Sequence, residues 1–337
     1  MIKISAFADE ASNELQGQIE ALKRNNIEYL EIRGVDGQNI KEISYEKIHE
    51  IKKTLDENGI KVWSIGSPVG KYKVDDNFEG QVEEFKKLCE FAKILGAKRI
   101  RMFSFFSKDE EKVFANLQRF VDVCPEDIIM CHENEKGIFG DDIEGCLKIH
   151  QKFDRIKMVF DPANFIQCGV DTLEAWEKLH QYVDYMHIKD ALKDKRVVPA
   201  GYGIGNVEKL VKMYHAQGGT VVTLEPHLMV FDGLKDLENG ESIDDSAPVY
   251  PDNNTAFDAG AKALVDILDF ANNLTGDADT LDGNHAGYFL SMSDWTEMRD
   301  IVSWIRKNMN GLNGEYMTTE GGIHKVLYEG SFTPWET

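Results

Sequence analysis

The chain has 337 residues, long enough for one large barrel or two smaller domains, and its 42% hydrophobic and 29% charged residues are the balance of a folded globular protein. Lys and Arg number 38 against 59 Asp and Glu, a formal charge of −21 that disfavours nucleic-acid backbones and anionic lipid surfaces and leaves small molecules and cations as the expected partners. No apolar run approaches the roughly 18 residues of a membrane span, and the opening MIKISAFADE lacks the apolar stretch and cleavage site of a secretory signal. The five cysteines, Cys89, Cys124, Cys131, Cys146 and Cys168, are odd in number and form no C-x-x-C, so reduced, buried thiols in a cytoplasmic protein are expected.

Short apolar runs alternate with amphipathic segments along the chain. Residues 2–7 are strand-like, and 12–25 are helical, with Leu15, Ile19 and Leu22 on one stripe and Ser12 as the expected cap. A strand at 27–32 precedes a helix at 45–58 that stops at Gly59. A strand at 62–65 precedes a helix at 78–95 ended by Gly96, and a strand at 99–106 precedes a helix at 109–122. Further strands are expected near 127–132, 156–160, 183–188 and 220–225, with helices near 142–152, 172–180 and 206–216. Eight strand–helix units of this spacing predict a parallel sheet closed into a (β/α)8 TIM barrel, and the missing G-x-G-x-x-G after the first strand argues against a dinucleotide-binding sheet. Residues 228–255, rich in Asp, Asn, Gly and Ser, are expected to form a long loop, followed by a closing helix at 256–274. The barrel domain is therefore placed at 1–274. Residues 275–337 are expected to be an extension with one amphipathic helix near 294–309, packing on the barrel or, in a homo-oligomer, on a neighbouring subunit near the site.

Four strand ends carry polar residues at matching positions. Strand five ends CHENEK with Glu133, strand six ends VFDPAN with Asp161, strand seven ends MHIKD with His187, and strand eight ends TLEPH with Glu225. Each lies about one strand–helix unit after the last, so all four are expected at one height, at the C-terminal mouth where barrel active sites form. Three carboxylates and an imidazole converging there repel one another unless a cation holds them. Oxygen-rich ligation with one nitrogen suits Mn²⁺, Mg²⁺ or Co²⁺, and Zn²⁺ also fits.

With FADE, HENEKGIFGD, FDPANFIQCGVD, MHIKDAL and LEPH, the chain over residues 1–270 resembles the sugar phosphate isomerase/epimerase group of xylose isomerase-like TIM barrels. The resemblance implies a metal, foremost Mn²⁺, held by Glu133, Asp161, His187 and Glu225, with Glu133 and Glu225 as the acid/base pair. It implies a small carbohydrate substrate, and proton transfer through an enediolate that gives epimerisation or aldose–ketose isomerisation. Asn164 stands where several epimerases of the group carry a substrate-contacting His. The same apparatus can drive elimination from an inosose or a 3-oxo-glycoside, and a non-catalytic sugar-binding subunit is a further alternative. The related AP endonucleases need extra His ligands that SIGSPVGK, MFSFFSK and Asn164 do not offer.

Other residues are candidates for the mouth. Lys189 shares a face with His187 and can bind a substrate oxyanion or pair with a carboxylate. Glu31, Arg33 and Arg101 are candidate substrate contacts or internal ion pairs. His132 should face the helix layer by strand alternation unless a kink turns it inward, and Lys136 follows in the same loop. Gly201, Gly203 and Gly205 offer backbone amides that can approach a phosphate. Phe7 and Trp63 can form an apolar wall or belong to the core.

Overall fold

The computed structural model describes residues 2–229 and 250–275, together with the strands Glu315–Met317 and Ile323–Lys325. Eight strands form a closed barrel: β1 (Lys3–Ala6), β2 (Tyr29–Ile32), β3 (Lys61–Gly66), β4 (Arg99–Met102), β5 (Ile129–Glu133), β6 (Ile156–Phe160), β7 (Val183–Ile188) and β8 (Val221–Leu224). Every neighbouring pair is parallel, and β1 closes the ring against β8 with Ser5 opposite Thr223. This is the expected TIM barrel.

The outer layer is α1 (Leu15–Arg24), α2 (Tyr45–Glu57), α3 (Phe78–Leu95), α4 (Glu110–Val123), α5 (Ile143–Lys152), α6 (Pro162–Gln167), α7 (Thr172–Leu179), α8 (Val207–Ala216) and α9 (Asn253–Thr275). Their apolar stripes bury Ile19 and Leu22, Ile48 and Ile51, Phe85 and Leu88, and Leu264 against the strands, the large continuous core that a closed barrel needs. Caps follow from local chemistry: Ser44 accepts from Lys47 N–H, Asp142 from Gly145 N–H, and Asp171 from the N–H groups of Leu173 and Glu174. Gly96 ends α3 at φ 77°, a conformation that favours glycine.

Three expectations are corrected. The expected cap Ser12 does not cap α1; its hydroxyl accepts from Glu14 N–H, and Asp36, from the following unit, accepts from Leu15 N–H at 3.0 Å. The short helix α6 was not expected, because six residues show no clear period; Asp161 and Pro162 start it. The last barrel helix begins at Asn253 rather than 256.

The chain divides into two compact units, Met1–Gly276 and Asp277–Thr337. In the second, Glu315–Met317 pairs antiparallel with Ile323–Lys325. The helix expected near 294–309, and the contacts expected of 275–337, lie outside the described residues, as does most of the loop expected at 228–255. Among the described residues, no helix is long and apolar enough to cross a membrane.

Candidate metal centre at the barrel mouth

Glu133 ends β5, Asp161 follows β6, His187 lies one residue from the end of β7, and Glu225 follows β8. Parallel pairing brings them to the same end of the barrel, with His187 opposite Thr223, two residues before Glu225, and Glu133 opposite Val159, two residues before Asp161. All four are buried, and one ligand atom from each lies within 4.8 Å of the others. His187 Nδ1 is 3.3 Å from Glu133 Oε1 and 3.4 Å from Glu225 Oε2, and it makes no hydrogen bond.

Each member is held from behind. Glu31 Oε2 lies 3.2 Å from His187 Nε2, while Glu31 accepts the hydroxyls of Tyr185 and Thr223, both at 2.8 Å. A carboxylate behind the imidazole keeps a proton on Nε2 and turns Nδ1 to the cluster, the arrangement found behind metal-ligating histidines. Phe7 meets the His187 ring edge-on at 5.1 Å. Asp161 spends Oδ1 on the N–H of Asn164 at the start of α6. Its backbone is clamped by Asn134, which both accepts from Asp161 N–H and donates to its carbonyl, each at 2.9 Å. Asn164 donates Nδ2 to Glu133 Oε1 at 3.1 Å and to the Asn134 carbonyl at 2.9 Å. Arg101 Nε stands 3.3 Å from Glu133 Oε2, and its Nη1 donates to the Ser67 carbonyl at 3.1 Å.

The cationic side of the mouth is equally ordered. Arg33 grips Asp9 with Nε and Nη2 at 2.8 and 2.9 Å, reaches Glu10 at 3.2 Å, and donates Nη1 to Glu225 Oε1 at 3.1 Å. Lys189 Nζ stands 3.0 Å from Asp161 Oδ2 and 3.0 Å from Glu225 Oε2. Lys71 pairs with Glu135 at 2.9 Å.

The charges respond to burial and to one another. Burial raises the Asp161 carboxyl to about 7, aided by the Glu225 and Glu133 charges and opposed by Lys189. Burial also disfavours charge on His187, yet Glu133, Glu31 and Glu225 outweigh it and raise its basicity well above the ordinary value. Burial works against the Glu225 anion, but Lys189, His227 and His187 hold that carboxyl well below its usual range. This donor set fits a divalent ion: three carboxylates, one imidazole nitrogen left without a hydrogen bond, and a carboxylate behind that imidazole.

A second group, Glu10, Glu225 and His227, adjoins the first through Glu225. His227 Nε2 lies 3.4 Å from Glu10 Oε1 and from Glu225 Oε1, the same oxygens that Arg33 engages. A guanidinium therefore already supplies the positive charge there. Burial raises the Glu10 carboxyl to about 8 and lowers His227 to about 3.

Sequence candidates outside this constellation find other roles. His132 does not line the mouth, which corrects its place among the substrate contacts. Alternation turns it opposite to Glu133, its Nε2 lies 3.0 Å from Ser104 Oγ, and its ring lies 5.5 Å from that of His150. The amides of the glycine loop are taken: Asp190 accepts from Gly201, Gly203 and Gly205 N–H at 2.8–3.0 Å, so an internal carboxylate fills the cradle expected for phosphate. Trp63 lies at the opposite end of the barrel, under the Arg99 guanidinium at 3.8 Å, beside a groove of about 340 Å³. Phe7 is fully buried beneath Arg33, 4.2 Å away. Lys136 N–H donates to Glu135. Sequence reasoning missed Asp9, Glu10, His227, Lys71 and Asp190; the acidic pair in FADE and the His after LEP were the available signals.

The family description "Xylose isomerase-like TIM barrel" matches residues 19–248, more than half of the chain, and the chain belongs to that family. No curated protein matches the sequence. Among solved structures the chain is similar to an L-ribulose 3-epimerase, with TM-score 0.63, 15% identity, and 82% of this chain and 98% of that one covered. It is similar to the probable 3-DHS dehydratase AsbF of Bacillus anthracis, with TM-score 0.59, 15% identity and coverage of 79% and 99%. It is also similar to the IOLI protein with a bound zinc atom, with TM-score 0.59, 16% identity and coverage of 80% and 99%. At these identities the likeness is one of fold.

Proposed function

We propose that this protein is a divalent-metal-dependent isomerase or epimerase of a small polyhydroxylated carbonyl compound, a sugar or sugar phosphate, working by proton transfer through an enediolate. The observation that carries this reading is that Glu133 and Glu225 approach one point from different strands, 3.3 and 3.4 Å from His187 Nδ1. Glu133, Asp161, His187 and Glu225 would hold the ion, which supplies Lewis acidity toward a carbonyl oxygen and a neighbouring hydroxyl. Mn²⁺ is our first choice; Mg²⁺, Co²⁺ and Zn²⁺ suit the same donors, and zinc is what the IOLI structure contains.

The remaining work falls to side chains. One glutamate removes the proton from the hydroxyl-bearing carbon next to the carbonyl, and the other returns a proton from the opposite face. Asn164 and Arg101 fix the Glu133 carboxylate, and Arg33 fixes that of Glu225, so both are aimed before substrate arrives. Burial of the pair excludes water that would intercept the carbanion. The five cysteines are free thiols, which supports the cytoplasmic assignment.

A second reading, elimination from an inosose, 3-oxo-glycoside or similar ketone, is favoured by Lys189. Its ammonium beside Glu225 can protonate a departing hydroxyl, and a probable dehydratase shares the fold. The test is incubation of the Mn²⁺-loaded protein in D₂O with ketoses, ketose phosphates, inososes and 3-oxo-glycosides, with E133Q and E225Q as controls. Deuterium in an isomer, absent from both controls, is the expected result. Deuterium accompanied by loss of water or aglycone establishes elimination, and binding without exchange of any compound would reject both chemistries in favour of a sugar-binding subunit.

A further inference from the structure

Asp161 and Glu225 each divide their two oxygens in the same way. Asp161 gives Oδ1 to the start of α6, and Glu225 gives Oε1 to Arg33. The oxygen left on each, Oδ2 and Oε2, meets Lys189 Nζ at 3.0 Å. Those are the oxygens a metal would use: Asp161 Oδ2 makes no geometrically sound hydrogen bond, and Glu225 Oε2 is the oxygen beside His187 Nδ1. Lys189 is only 3% exposed, so it is no surface lysine that has folded over the site.

We propose that Lys189 is the built-in counter-ion of this centre: its ammonium neutralises Asp161 and Glu225 when no divalent ion is bound, and the ion displaces it. The inference rests on the reading of Glu133, Asp161, His187 and Glu225 as a metal centre. An ion about 2.1 Å from Asp161 Oδ2 would stand within about 5 Å of Nζ in its present position, by simple addition of the two distances. Two cations that close, buried and competing for the same two oxygens, repel strongly. The shorter bonds and double charge favour the metal. The side chain has to yield rather than the backbone, because the next residue, Asp190, is tied by three loop amides. The four-carbon stem of a lysine allows that movement, and the Glu135 carboxylate, which already acts electrostatically with Lys189, offers a place to turn.

A lysine that merely positions the carboxylates for the metal and one that competes with it give opposite results when the charge is removed. The probe is Zn²⁺ alone, titrated calorimetrically against a chelator into the full chain as wild type, K189M and K189R. Competition predicts that K189M binds Zn²⁺ at least about 10-fold more tightly than wild type, while K189R stays within about 3-fold. It also predicts that metal-free K189M melts below metal-free wild type and that Zn²⁺ narrows the gap. Equal or weaker binding by K189M overturns the proposal and leaves the metal centre standing. No Zn²⁺ binding by any of the three proteins overturns the metal centre and the proposal together. Should K189M not fold, the wild type decides: the Lys189 ammonium resonance of ¹⁵N-lysine-labelled protein must move on stoichiometric Zn²⁺ binding, and an unmoved resonance overturns the proposal.

Discussion

His187 Nε2 rests 3.2 Å from Glu31 Oε2, and this contact decides which edge of the imidazole meets the cluster. Glu31 is itself fixed by the Tyr185 and Thr223 hydroxyls. Although burial opposes its charge, His187, Arg101 and Tyr185 hold its carboxyl below the ordinary value, so it stays an acceptor. An amide at this position can donate to Nε2 instead, which moves the imidazole proton to Nδ1 and blocks ligation. E31Q is expected to fold and to bind Zn²⁺ about 10- to 100-fold more weakly than wild type by calorimetry. Wild-type affinity in E31Q would remove Glu31 from the support of the centre.

Asn164 carries two donations from one nitrogen, to Glu133 and to the Asn134 carbonyl. Removing the donor leaves a buried carbonyl without its partner, and N164L is expected to lose about 1–3 kcal/mol in urea unfolding. N164D adds a like charge facing Glu133, so without metal it should lose more than N164L. An equal loss in the two variants would show that the amide matters only for packing.

Asp190 accepts N–H groups from Gly201, Gly203 and Gly205 as well as from Ala191. Burial raises its carboxyl, and the amides hold back part of that rise. D190A strips an acceptor from the three loop amides and is expected to cost about 2–4 kcal/mol. The same cradle excludes a methyl group: a Cβ on Gly203 would stand 2.3 Å from Asp190 Oδ1 and 2.4 Å from the Ala191 carbonyl. G203A should therefore lower the urea midpoint without changing any charge. A stable G203A would mean that the loop opens at little cost.

The barrel was legible because each strand is a short apolar run and each helix carries one apolar stripe, so the two periods separate cleanly. Glu133, Asp161, His187 and Glu225 stood out because each ends a strand about one strand–helix unit after the last, and parallel strands bring such ends to one mouth. The partners of Arg33 were not legible, because closure of β1 against β8 brings Asp9 and Glu10 to Glu225 across most of the chain. His227 was hidden for a local reason: at φ 47° the backbone leaves the strand path, and alternation no longer tells where the side chain goes. The glycine triplet was readable as an amide cradle, but not its occupant. A carboxylate 11 to 15 residues upstream fills it without the entropic cost of capturing a free anion.

His150 provides a pH test away from the mouth. It lies on α5, buried, with Nδ1 3.1 Å from the Ile156 carbonyl, its ring stacked on Tyr182 and turned edge-on to His132. Burial lowers its pKa to about 4; the Ile156 carbonyl opposes the shift and Lys157 adds to it. The unfolded chain therefore takes up a proton near pH 6.5 that the folded barrel refuses until about pH 4, so this histidine's share of stability is complete above pH 6.5 and drains away as pH falls. The loss across that window is about 3 kcal/mol. His132, whose basicity burial and His150 also lower, acts in the same direction. H150Q keeps a donor for the Ile156 carbonyl but cannot titrate, so its stability should fall less steeply between pH 6.5 and 4. Urea unfolding of both proteins at several pH values in that window tests this. Parallel curves would mean that His150 protonates in the folded barrel as readily as in the unfolded chain, and that burial on α5 does not keep it neutral.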